Sequence, residues 1–216
     1  MKKSTTKEIL DLIRSMQNID YIDPDEIPNI DLYMDQVTTF MDKHLQSSKR
    51  FEDDKILTKT MINNYTKNNL LPPPDKKKYS REHMLLLIFI YYFKTFLSIS
   101  DIKSILSPLT DNYFKQADAG QLSFADIYAT IFNDQKEEIN ETARDIISKL
   151  RKSQKTFPEI EDEDEKELLS TFAFICMLSF DVWIKKTIIE NLIDETLSKQ
   201  ADEAADKAMA PGKEKE

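Results

Sequence analysis

The chain has 216 residues, 40% of them hydrophobic, enough to bury a core in one large or two small domains. Its net charge of −9 keeps the bulk of the surface soluble and repels anionic partners, so contact with one must be local. Cys176 is the only cysteine, which excludes an internal disulfide and fits a reducing cytoplasmic compartment; two glycines, Gly120 and Gly212, argue against Gly-rich phosphate loops, tight I′ hairpins and most α/β architectures.

The opening residues carry lysines, but Glu8, Asp11 and Arg14 interrupt any apolar run, so no secretory signal is expected. Ile9, Leu10, Ile13 and Met16 fall on one face of a short amphipathic helix over Thr6 to Met16, followed by a turn-rich stretch with Pro24 and Pro28. From Asp31 to Gln46, Tyr33, Val37, Phe40, Met41 and His44 recur at helical spacing and predict an apolar stripe, with His44 packed rather than a ligand.

Thr58 or Thr60 can cap the next helix, which sends Met61, Ile62 and Tyr65 inward and leaves Lys59, Asn63, Asn64, Thr66 and Lys67 outside. Asn69 stands where a helix ends in the left-handed conformation, with Leu70 and Leu71 as the hydrophobic contact and Pro72 to Pro74 as a stop. Asp75 to Tyr79 has little to bury and reads as a short extended wing. Lys55 to Arg81 holds seven basic residues (Lys55, Lys59, Lys67, Lys76, Lys77, Lys78, Arg81) against one acid, Asp75, a basic island in an acidic chain.

Ser80 caps a nearly uniformly apolar helix, Arg81 to Phe96, expected at the centre of the fold. Ser100 is expected to cap a short helix, Asp101 to Leu106, that Pro108 closes, and Ser123 to begin a long one reaching about Gln154. Pro158 and the acids Glu159 to Glu167 mark a linker merging into a final helix from about Glu165 to Leu197. Within it, Leu168 to Ile184 falls short of the roughly 20 residues a bilayer helix needs and contains Ser170, Thr171, Ser179 and Asp181. It is expected to be a helix buried by the chain or by a second copy, not a membrane span. Residues 200–216 have the composition of a frayed tail.

In MINNYTKNNLLPPP, KKKYSREHMLLLIFI and SISDIKSIL the chain resembles the MerR-type winged helix-turn-helix, and more closely the YkrK-like bacterial family of unknown function, over roughly Asp23 to Leu109. The resemblance implies that Tyr65 is a packed tyrosine that also approaches the DNA backbone and that Lys76, Lys77 and Lys78 contact phosphates. Asn63, Asn64 and Asn69 stand where MerR proteins carry an arginine, a tyrosine and a glycine. Asparagine suits adenine reading, whereas the lysines would fix register without specifying sequence.

Nothing selects an enzyme. His44 and His83 lack metal-ligand spacing, no HExxH, CxxC, GxSxG or phosphate-loop pattern occurs, and the acids at 159–167 lack EF-hand order. The expectation is an all-α regulator without cofactor or metal: an arm (1–22), a MerR-like winged helix-turn-helix with a small β wing (23–118), a C-terminal bundle of long helices (119–199) and a disordered tail (200–216). It binds double-stranded DNA through Lys59, Asn63, Asn64, Tyr65, Lys67, Lys76, Lys77, Lys78 and Arg81, with recognition helix 58–69 and wing 75–79. It is a homodimer that touches no membrane, with room for an unidentified effector. The alternative is a non-enzymatic interaction module that turns the same scaffold toward a protein.

Overall fold

Short polar side chains at helix ends and apolar spacing between them set most of this architecture. The computed structural model describes residues 3–17, 22–114 and 121–197, so the tail expected at 200–216 lies outside the described residues. The elements are α1 (Lys3–Gln17), β1 (Leu32–Tyr33), α2 (Met34–Leu45), α3 (Lys59–Lys67), β2 (Lys78–Tyr79), α4 (Arg81–Phe93), α5 (Ile99–Tyr113), α6 (Phe124–Ser153) and α7 (Glu163–Leu192), the last followed by a π-helical turn at Ile193–Leu197. The protein is mostly helical, and its sheet is the antiparallel pair β1–β2, with Leu32 opposite Tyr79 and Tyr33 opposite Lys78.

The chain divides into two units. One comprises Met1–Ile27 and Ala125–Lys185, the other Pro28–Phe124 and Lys186–Glu216.

In the second unit α4 is the centre. Residues His83 to Tyr91 are all buried, which a helix apolar on every side requires. Val37 and Met41 of α2, Ile62 of α3 and Ile102 of α5 complete this core, each fully buried. At about 1.5–3 kcal/mol per buried aliphatic or aromatic side chain, this layer dominates the unit's stability. The stripe on α2 differs from expectation at one end. Tyr33 precedes the helix in β1 and is 54% exposed, while His44 stacks on Phe40 with ring centroids 4.2 Å apart.

Three boundaries depart from the sequence expectations. The helix expected to run from Arg81 to Phe96 ends at Phe93. α5 is capped by Ser98, whose hydroxyl accepts from the Asp101 N–H at 3.2 Å, and not by Ser100. α5 also continues through Pro108 to Tyr113. An internal proline removes one backbone hydrogen bond and costs about 3 kcal/mol. Buried Ile102 and Leu106 before it and Phe114 after it outweigh that cost.

In the first unit the Tyr128 hydroxyl donates to the Ile22 carbonyl at 2.7 Å, and its ring stacks on Phe132. Ile13, Ala143, Leu150 and Phe174 are buried there. Lys149 of α6 pairs with Asp145 on its own helix and, at 2.7 Å, with Asp181 of α7. These carboxylates raise the Lys149 pKa above its ordinary value, the Asp145 hydrogen bond first and the Asp181 one second.

The expectation of a buried final helix fails for the chain alone. Within α7 only Ser170 and Phe174 are buried, whereas Leu168 (69% exposed), Phe172, Ile175, Phe180, Val182, Trp183 and Ile184 are open to solvent. The helix has the length expected from about Glu165 to Leu197, as α7 and the π-helical turn after it together run from Glu163 to Leu197. By length and composition, Glu163–Glu195 is long and apolar enough to cross a membrane. Cys176, expected to be buried, is half-buried.

Candidate nucleic-acid interface

The site is built on α3. Thr58, not Thr60, is its N-cap, its hydroxyl accepting the Met61 N–H at 3.2 Å. At the other end Asn69 adopts φ 55°, the Leu70 N–H returns to the Tyr65 carbonyl at 2.9 Å and the Asn69 N–H to that of Thr66 at 3.1 Å. That pair of bonds is a Schellman exit, closed by buried Leu70 and Leu71. Both ends of α3 are thereby pinned, and its register is fixed. Ile62 and Tyr65 face the core, while Asn63, Asn64 and Lys67 are exposed on the opposite side.

The connector into α3 is anchored from α4. Lys94 donates to the Ile56 carbonyl at 2.7 Å and lies 4.7 Å from the Tyr91 ring centroid, and its burial lowers the Lys94 pKa below the ordinary lysine value.

After Pro74 the chain turns back on itself. Asp75 bridges Lys78, whose N–H donates to the Asp75 carbonyl at 2.8 Å, and the two residues at the tip, Lys76 and Lys77, have φ of 47° and 66°. Positive φ at both central residues is the sign pattern of a type I′ turn, normally made by Asn and Gly. Scarcity of glycine therefore does not exclude such a turn here: two lysines make it. Each non-Gly residue held in this region costs about 1–2 kcal/mol. Lys76 and Lys77 are exposed and form no ion pair among the described residues. Lys78, half-buried, lies 5.4 Å from the centroid of the Tyr33 ring.

Four of the nine expected contact residues are paired within the protein or partly or wholly buried. Lys59 pairs with Asp35 of α2, so its charge is already answered within the protein. Tyr65 is 6% exposed, its hydroxyl pKa raised by burial, so it supports α3 from beneath and presents almost no surface to a ligand. Arg81, at the start of α4, is half-buried. Lys78 is likewise half-buried, which leaves Asn63, Asn64, Lys67, Lys76 and Lys77 exposed and free of an ion pair among the described residues. Sequence reasoning missed Tyr33, whose exposed ring steadies the Lys78 ammonium; its place as the N-cap residue of α2, three residues before Gln36, was the available signal.

A family model for a domain of unknown function, DUF1836, matches residues 22–131. The chain belongs to the DUF1836 family. The stretch Asp23 to Leu109 that carries the winged-helix resemblance lies inside the match. No curated protein and no solved structure matches the chain.

Within the DUF1836 region the base of the turn depends on His83. The Ser80 N–H donates to His83 Nδ1 at 2.9 Å, a capping box with histidine in the usual Glu or Gln position, and the ring sits edge-on between Tyr79 and Phe114. Burial pushes the His83 pKa below its ordinary 6.5, against the weaker opposing pull of the Pro73 and Pro72 carbonyls and of Glu82 and Asp31. A lowered folded pKa means that the folded state holds the neutral ring. This contribution to stability is complete above 6.5 and is lost as pH falls from there toward the folded pKa. Thermal melts at about pH 7.5 and 5.5 should show wild type losing stability in acid and His83→Gln losing less. An equal loss in both would remove His83 as the cause.

An open cleft of about 710 Å³ also lies in this unit, with Asp42, Glu52, Asp53 and Asp54 facing Lys43, Lys49, Lys55 and Lys59. Its acids and lysines balance, so it selects no class of effector. Among the described residues no group of three or more His, Cys, Asp and Glu is placed to hold a metal ion.

Proposed function

We propose that this DUF1836 protein is a DNA-binding transcriptional regulator of the cytoplasm, acting as a winged helix-turn-helix. The exposed face of α3 reads the major groove, and the Asp75–Lys78 turn grips the adjacent backbone. The observation that carries this reading is the turn itself. Two lysines occupy backbone positions that glycine and asparagine fill more easily, they point to solvent, and they answer no carboxylate among the described residues. Strain of this kind concentrates where a side chain's function outweighs its conformational cost. Beside it, Asn63 and Asn64 offer amides that can pair with adenine N6 and N7, and Lys67 adds a phosphate contact.

Fluorescence anisotropy with duplex DNA across a salt series tests the reading. Lys67, Lys76, Lys77 and Lys78 on four phosphates give a log K against log salt slope of about −3.6. Absence of binding at low salt would leave the same scaffold to a protein partner and refute the DNA reading.

The strain has its own measurable consequence. Lys76→Asn with Lys77→Gly should raise unfolding stability by about 1–3 kcal/mol while weakening DNA binding. Urea denaturation of the double variant reads the first effect and anisotropy the second. A less stable variant would mean that the lysines make compensating contacts.

A further inference from the structure

The exposed surface of α7 carries a repeat that its overall apolarity conceals. Leu168, Phe172, Ile175, Ser179 and Val182 follow one another at intervals of four, three, four and three residues, the a/d spacing of a coiled-coil seam. All five are exposed, with Leu168 at 69%, Phe172 at 62%, Ile175 at 54% and Val182 at 62%. The seam is formed, and no described part of the chain covers it.

We propose that its occupant is the α7 seam of a second copy, running antiparallel about a two-fold axis at Ile175. In that register Leu168 faces Val182 of the other copy, Ile175 meets its own equivalent, and Phe172 falls beside Leu178 and the small Ser179. The flanking charges decide the direction. Glu165 lies three residues before the seam and Lys185 three after it, both exposed, so antiparallel pairing sets each Glu165 beside the other copy's Lys185. Parallel pairing would set like charges together at both ends.

The area fits a dimer. The four large apolar side chains of the seam, Leu168, Phe172, Ile175 and Val182, present on the order of 500 Å² per copy, so that a pair of copies reaches the roughly 1,000 Å² that a specific interface needs. The competing occupants fit less well. Lipid around this segment would also have to accept Lys149 and Asp145 of α6, which the Asp181 contact holds alongside it. Residues 198–216 contain one large apolar side chain, Met209, and cannot supply the missing half of the seam.

The proposal is independent of DNA binding, because none of these residues belongs to α3 or the lysine turn. Sedimentation velocity on the full chain at micromolar concentration should give a dimer. Ile175→Glu places two carboxylates on the axis and should raise the dissociation constant at least about 100-fold, and Val182→Glu should do the same. Circular dichroism should be unchanged, since both positions are exposed. Lys185→Glu should weaken pairing by about tenfold, and adding Glu165→Lys should restore it. No effect of Lys185→Glu would overturn the antiparallel arrangement. A wild-type monomer overturns the proposal outright, and flotation of that monomer with phosphatidylcholine and phosphatidylglycerol vesicles would assign the seam to lipid.

Discussion

Lys76→Glu with Lys77→Glu should reduce affinity for duplex DNA by about 100-fold or more near 50 mM salt and flatten the log K against log salt slope by about 2. The slope follows from counterion release, because each lysine on a phosphate contributes about −0.9. The affinity loss is larger than removal of two contacts, because the tip now carries two carboxylates toward the phosphates. Folding should change by less than about 0.5 kcal/mol apart from the turn's own strain, since both side chains are exposed and unpaired among the described residues. The informative control is Lys152→Glu with Lys155→Glu, which changes net charge equally at exposed positions outside the proposed interface. Equal weakening by both pairs would reduce the effect to overall charge and remove the turn from the account.

Ile62→Ala should cost about 2–5 kcal/mol in urea denaturation, while Asn63→Ala and Asn64→Ala each stay within about 0.5 kcal/mol. Ile62 is fully buried beneath α3, and its truncation opens a cavity against the α4 core; the two asparagines carry no packing. DNA discrimination should show the reverse order. Each asparagine that pairs with a base supplies about 1–3 kcal/mol against the wrong base, so their loss flattens preference among duplexes with little effect on nonspecific binding. If Asn63→Ala unfolds the protein as readily as Ile62→Ala, the assigned faces of α3 are inverted.

The sequence carried α3 in full because both its ends rest on local chemistry: a threonine cap and an asparagine that tolerates the left-handed region. It carried α4 because a run apolar on all sides has one stable place. The lysine turn was legible as charge but not as geometry, since glycine scarcity predicts against a I′ turn and only the backbone shows two lysines adopting it. Tyr33 shared the apolar spacing of α2 and still faces solvent, because the strand before the helix reverses its side. The Lys59–Asp35 pair joins two helices whose approach no local pattern encodes. Pro108 was read by its local rule, which the buried residues on either side override. In α7 uniform apolarity hid the seam, and composition alone does not say which surface remains uncovered.

The most direct test is a ¹⁵N-resolved NMR titration of the protein with duplex DNA at low salt. Amide shifts concentrated at Asn63 to Lys67 and Asp75 to Lys78, reversed by added salt, are the predicted result. Shifts confined to other surfaces, or none at all, would contradict the assignment of this helix and turn as a DNA-reading head.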